Sequence, residues 1–304
     1  MILVVGSAGT VGSSVVQSLG TLDVKVTALR SKIGRKELPA NATAVEGDVH
    51  DVDFMRRILA RSSTVFLLHP VTNDELTRSL VTLALVRDAG IQRVVYLSMQ
   101  SSDTFTDVPH AAAKFAAERM IEDRRIPTTI LRPHFFFQND VSLREPLLEK
   151  GIYPMPLGSV GVTMVDARDV GEVAAIELAR RERSAQPLPT EIVEVVGPDT
   201  FTGDSMSKLW SEVLGRPVRY AGDDLAAFEN DARAHLTAEM ALDMTLMFRR
   251  FAEQGYLDQR NAAAELARRL GHPLRTYRAF AEERRAEWVA GARGAAAVQS
   301  PAHA

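Results

Sequence analysis

The 304-residue chain contains no cysteine. That excludes disulfides, thiolate catalysis and any metal site built on cysteine, and it suits a reducing cytoplasm. Aromatic residues are scarce, at 6%. Charge of neither sign dominates: 36 Lys and Arg stand against 39 Asp and Glu, for a net charge of −3. Such a balance offers no general attraction for nucleic acid or an anionic membrane. No apolar run approaches the roughly 20 residues of a membrane helix. The short apolar start also lacks the basic flank of a signal peptide. No two histidines stand at metal-ligand spacing on one element, so no zinc site is expected. The expected setting is cytoplasmic, with a small-molecule substrate, no nucleic-acid or membrane partner, and a monomeric or homodimeric state. Apolar content of 46% and charged content of 25% belong to a globular protein of one large or two modest domains.

What is present begins at the first residue. Met1-Ile-Leu-Val-Val makes a short buried strand, and Gly6, Gly9 and Gly12 follow before a helix ending at Leu19. A strand–turn–helix of this kind aims the unpartnered first-turn N–H groups of the helix at whatever lies above the turn, and its dipole favours a phosphate there. Gly6 permits the turn, Gly9 lets a pyrophosphate approach the backbone (with a positive φ as a further possible demand), and Gly12 lets helix and strand pack closely. The spacing is G-x-x-G-x-x-G rather than G-x-G-x-x-G. The stretch Gly6-Ser7-Ala8-Gly9-Thr10-Val11-Gly12 is therefore expected to hold a dinucleotide.

Strands and helices then alternate without hairpin signals. Strands are expected near 24–29, 43–46, 64–68, 93–97 and 128–131, with helices at 52–61, 74–89 and 110–124 between them. This pattern predicts a Rossmann-type, doubly wound parallel α/β sheet. Ligands in such sheets bind beyond the carboxyl ends of the strands. That rule selects Arg30-Ser31-Lys32, Asp48-Val49, Leu68-His69-Pro70, Ser98 and Pro133-His134-Phe135. Beyond about residue 140 the rhythm breaks. Residues 1–140, with the 162–198 stretch returning to them, are expected to form the dinucleotide-binding domain. Residues 141–161 and 199–290 are expected to form a smaller, mostly helical substrate-binding part, and 291–304 a flexible tail.

Taken as an ordered set, these motifs resemble the NmrA-like group of atypical short-chain dehydrogenase/reductases. The matching stretches are the glycine turn, Arg30, Gly47-Asp48, His110-Ala-Ala-Ala-Lys114, Arg132-Pro-His-Phe-Phe-Phe-Gln-Asn139, Asp166-Ala-Arg-Asp169 and Gly271-His-Pro-Leu-Arg-Thr-Tyr277. The resemblance spans roughly residues 1–290. It implies an NADPH-dependent reductase of a small aromatic or conjugated carbonyl, quinone or enone. It also leaves open a non-catalytic NADP(H) sensor acting through a protein partner.

Arg30 decides the cofactor. A carboxylate at this position would accept the ribose 2′-OH of NAD, whereas a guanidinium pairs with a 2′-phosphate, so NADP is expected. Ordinary short-chain dehydrogenases use Tyr-x-x-x-Lys, and no tyrosine here has a lysine four residues on. His110 stands in the tyrosine's place, and i,i+4 spacing puts it on one helical face with Lys114. The resemblance to the plant ether reductases makes Lys114 the candidate general acid/base, with a ribose contact as the alternative. His110 is a second candidate, expected to be a surface or capping residue. The triplet Phe135-Phe136-Phe137 and the cluster Met240, Met244, Met247, Phe248 are expected in the core rather than around a ligand. The charge rows 180–183 and 282–285 are expected on solvated helix faces.

Overall fold

The computed structural model describes residues 1–32 and 37–298, with side chains through residue 290. In chain order the N-terminal half runs β1 (Ile2–Val4), α1 (Thr10–Leu19), β2 (Val26–Arg30), β3 (Ala42–Glu46), α2 (Val52–Leu59), β4 (Thr64–Leu67), α3 (Glu75–Asp88), β5 (Val94–Leu97), α4 (Pro109–Asp123) and β6 (Thr128–Pro133). The remainder runs β7 (Phe135–Phe136), β8 (Ile152–Tyr153), β9 (Val162–Val165), α5 (Ala167–Arg183), β10 (Glu191–Val195), β11 (Asp199–Phe201), α6 (Gly203–Leu214), β12 (Arg219–Tyr220), α7 (Leu225–Ala232), α8 (Ala238–Gln254), α9 (Ala262–Leu270) and α10 (Tyr277–Val298).

Seven strands form one sheet in the order β10-β6-β5-β4-β1-β2-β3, and every pairing in it is parallel. The strands are apolar on both faces because helices cover both. Ile2 and Val4 pack under α1 and α5, while Leu3 and Val5 face α2, α3 and α4. The chain therefore has the expected Rossmann-type doubly wound fold. The strand order reverses between β1 and β4, where such sheets open a crevice at their carboxyl ends.

The C-terminal part has its own core around Trp210, Phe248, Phe251, Tyr277 and Phe280. Most of its helices cap themselves: Thr202 and Ser205 form a capping box for α6, Asp224 caps α7, and Thr237 caps α8. Two expectations change here. The strand at 162–165 joins β7 and β11 in a separate three-stranded sheet, so of the returning stretch α5 packs on α1 and β10 closes the main sheet. Helix α10 continues into the stretch expected as a tail, through Val298, and 299–304 lie outside the described residues. Arg181 is not solvated. It is fully buried, and its guanidinium donates to Thr129 and to the carbonyls of Leu188 and Pro189. A charge on the inner face of a helix survives burial only when its donors are satisfied in this way.

Candidate functional site

A cavity of about 1080 Å³ opens at the carboxyl ends of the central strands. One end is built by the glycine turn. Gly6 has φ +74°, and a Cβ there would press on the Leu68 carbonyl at 2.8 Å. At Gly12 a Cβ would meet the Gly6 carbonyl at 2.1 Å, so that glycine is required by helix–strand packing. Gly9 differs from what the sequence suggested: its φ is −75°, an ordinary extended value, and an added Cβ would meet only the Gly6 carbonyl, at 3.6 Å. The protein itself does not need a glycine at this position. Gly9 is also the N-cap of α1 and supplies no side-chain cap, in contrast to the helices described above. The first-turn N–H groups of α1 thus have no side-chain acceptor from their cap, and Ala8, Gly9, Thr10 and Val11 line the cavity.

Around this turn lie Arg30, Ser31, Asp48 and Val49, then Leu68, His69 and Pro70, and farther in Ser98, Pro133, His134 and Phe135. Three expected site residues stand behind the wall. Ser7 is buried and donates its hydroxyl to the Leu29 carbonyl at 2.7 Å, which ties the turn to β2. Gly12 and Lys32 do not line the cavity, and Lys32 is exposed. Arg30 is buried at the end of β2, where its register partner on β3 is Glu46.

His110 and Lys114, one turn apart on α4, both line the cavity. Lys114 is buried. Its ammonium pairs with Glu75 at 2.7 Å and donates to the Leu97 carbonyl at 3.1 Å. Glu75 is the first residue of α3 and is itself buried. His110 overturns its sequence reading: it is neither a surface nor a capping residue. The residue is 8% exposed, with Nδ1 2.7 Å from Asp243 Oδ1, and Asp243 is a buried residue of α8.

The other polar groups of the cavity are committed or neutral. Ser98 donates to Glu118, which also takes Arg132 in a buried ion pair at 2.6 Å. His69 Nε2 lies 3.1 Å from the Thr82 hydroxyl; burial first, then nearby Lys114 and Arg78, pushes its pKa down to about 4. His134 packs at a tilt against the Tyr256 ring, and burial lowers it to about 4 as well. Both are neutral at pH 7. His134 is buried, and its ring lies against the backbone of Thr163 and Tyr256. Tyr256 is the one cavity-lining tyrosine among the described residues, and it donates its hydroxyl to the Gln100 carbonyl at 2.8 Å.

The far end of the cavity is apolar. Phe135, Phe136, Met240, Met244, Met247 and Phe248 all line it; Phe135, Met247 and Phe248 are at the same time members of the buried core, as expected, together with Phe137, while Phe136, Met240 and Met244 are only half-buried. Helix periodicity reports which face is apolar. It does not report whether that face meets protein or a void, and here α8 meets a void.

The fold and the cavity at its strand ends define a dinucleotide-fold protein with an attached apolar chamber. The chain belongs to the NmrA-like family, whose model matches residues 1–282. An NAD(P)H azoreductase of Xenophilus azovorans is 27% identical over 286 residues, covering 93% of this chain and 97% of that protein. Among solved structures, an NADPH-dependent quinone oxidoreductase of Escherichia coli complexed with NADPH superposes with a TM-score of 0.79 at 19% identity, over 93% of this chain and 99% of that one. The triphenylmethane reductase of a Citrobacter species, complexed with NADP(H), also gives 0.79 at 19% identity, over 93% of this chain and 100% of the other.

Proposed function

We propose that this chain is an NADPH-dependent reductase of small conjugated acceptors such as quinones, enones, aromatic carbonyls or azo compounds. The observation that carries this reading is that one cavity joins three things: the glycine turn, the His110–Lys114 face of α4, and a methionine–phenylalanine chamber. A sensor that reads its cofactor through a surface has no need of such a chamber. The azoreductase relative, similar over almost its whole length, supports the same reading.

The residues fit the cofactor. Gly9 leaves open, directly over the uncapped start of α1, the volume a Cβ would fill, which suits a pyrophosphate. Arg30 at the end of β2 suits a 2′-phosphate. NADPH would then supply a hydride from its nicotinamide ring. The proposed contacts are Gly6, Ala8, Gly9, Thr10, Val11, Arg30, Ser31, Asp48, Val49, Leu68, His69, Pro70, Ser98, Lys114, Pro133, His134 and Phe135. In the proposed division of labour, residues 1–140 hold the cofactor, while 141–161 and 199–290 close the acceptor chamber.

Lys114, the general acid/base candidate, has two of its three donors engaged by Glu75 and the Leu97 carbonyl. So held, Lys114 would present its remaining N–H to a cofactor bound in the cavity. The apolar chamber excludes water and aligns a flat acceptor, so that most of the catalysis is positioning. The test is a screen of naphthoquinone, azobenzene and a cationic triphenylmethane dye, following NADPH absorbance. Turnover of any of them above the rate without protein is expected. NADPH binding with no oxidation by any acceptor would favour a sensor.

A further inference from the structure

We propose that the proton completing each reduction comes from His110, and that Asp243 of α8 is the residue that positions it. The inference rests on the reductase reading. The carboxylate of Asp243 lies 2.7 Å from His110 Nδ1 and also accepts the His110 backbone N–H at 3.4 Å. A carboxylate at Nδ1 accepts that nitrogen's N–H and holds the ring with Nε2 turned away from it. Nε2, on the opposite edge of the ring, has no hydrogen-bond partner among the described residues, and the ring lines the cavity. Asp243 is buried between Met240, Met244 and Met247, three residues of the chamber wall on the same helix. An unpaired carboxylate in such surroundings is costly, so α8 tolerates Asp243 only with a cationic or donating partner. His110 is that partner.

The competing donors are largely engaged, two of the three Lys114 N–H groups among them. Lys114 is held by Glu75 and a carbonyl, Ser98 by Glu118, and Tyr256 by the Gln100 carbonyl. His69 and His134 are neutral at pH 7, their pKa values lowered to about 4. The step balances. The acceptor takes a hydride at one atom, and the electron pair displaced onto its oxygen or nitrogen takes the Nε2 proton. The Nε2–H bond breaks and an O–H or N–H bond forms. His110 is left neutral, still donating Nδ1–H to Asp243, and recovers a proton from water. Acceptor, NADPH and one proton become reduced acceptor and NADP.

The alternative is a buried clamp joining α4 to α8, and the experiment separates the two. Turnover of the best acceptor among naphthoquinone, azobenzene and the triphenylmethane dye is measured in wild type, His110→Ala and Asp243→Asn. The dissociation constant of NADPH is measured by calorimetry beside it. His110→Ala is expected to lose about 10²-fold in turnover, with NADPH affinity within about twofold of wild type and with saturable rescue by added imidazole. Asp243→Asn is expected to lose about tenfold and to remove the low-field Nδ1 proton from the NMR spectrum. Asp243→Glu is expected to regain part of both. Wild-type turnover in His110→Ala, or a loss that imidazole cannot rescue, would overturn the proposal and leave the clamp. No turnover by the wild type with any acceptor would overturn the reductase reading, and this step with it.

Discussion

Substituting Gly9 by Val separates the cofactor site from the fold. The backbone at Gly9 is extended, and an added Cβ meets nothing closer than a carbonyl at 3.6 Å, so valine is free of backbone strain. Valine is a poorer N-cap than glycine, which costs about 1 kcal/mol at most. In a chain of this length that lowers the Tm by roughly 2 °C. The consequence for binding is much larger, because the branched side chain fills the space over the α1 N-terminus. NADPH at about 100 times its Kd stabilises the wild type by about 2.7 kcal/mol, or roughly 5 °C on the same scale. A thermal-shift series with and without NADPH measures both effects at once. The variant is expected to unfold within about 2 °C of the wild type and to gain nothing from NADPH. A folded Gly9→Val that gains the full shift would place the phosphates elsewhere.

Arg30→Ala is expected to erase a preference for NADPH over NADH of at least tenfold, worth about 1.4 kcal/mol; calorimetry with both cofactors decides, and equal affinities in the wild type would remove Arg30 from the site. Lys114→Ala strands Glu75 as a buried, unpaired carboxylate, which costs about 3–5 kcal/mol. The double variant Lys114→Ala/Glu75→Gln should recover most of that Tm while NADPH binding stays weak, and recovery of neither would deny that the two residues form one unit. Asp140 is fully buried, accepts the Tyr153 and Tyr277 hydroxyls, and has its pKa pushed up to about 7 by burial. Its folded-state pKa lies above the unfolded value near 3.8, so the folded state binds the extra proton and stability falls as pH rises from about 4 to 7. Asp140→Asn should flatten that fall, by on the order of a few kcal/mol, in denaturant titrations at pH 5 and pH 8; an unchanged slope would mean that another group carries it.

The strand-end half of the candidate site was legible because its signals are local. Gly6 and Gly12, an apolar strand and Arg30 lie in one short stretch, and a parallel sheet brings every strand end to the same crevice. The glycine pattern could not say which glycines the packing requires and which it leaves free; only the backbone angle and the Cβ surroundings of Gly9 separate them. Glu75 and Asp243 were missed for a different reason. Each is a single carboxylate on a helix, without a motif, and meets its partner across 39 and 133 residues of sequence respectively. A signal did exist in α8, where Asp243 interrupts the apolar face that carries Met240, Met244 and Met247. A carboxylate on an otherwise apolar face asks for a buried partner, and His110 was the histidine on a helix already suspected of lining the site. The chamber itself was illegible, because a wall around a void and a packed core use the same side chains.

The central claim is that hydride leaves a dinucleotide seated over Gly9 and reaches an acceptor in the adjoining apolar chamber. The most direct test is a single-turnover experiment, in which excess protein carrying one equivalent of NADPH is mixed with naphthoquinone and the loss of NADPH absorbance is timed. Wild-type protein is expected to oxidise its full equivalent much faster than free NADPH reacts, and Gly9→Val no faster than the protein-free mixture. Protein-bound NADPH that survives the acceptor as long as free NADPH, or Gly9→Val reacting like the wild type, would contradict it.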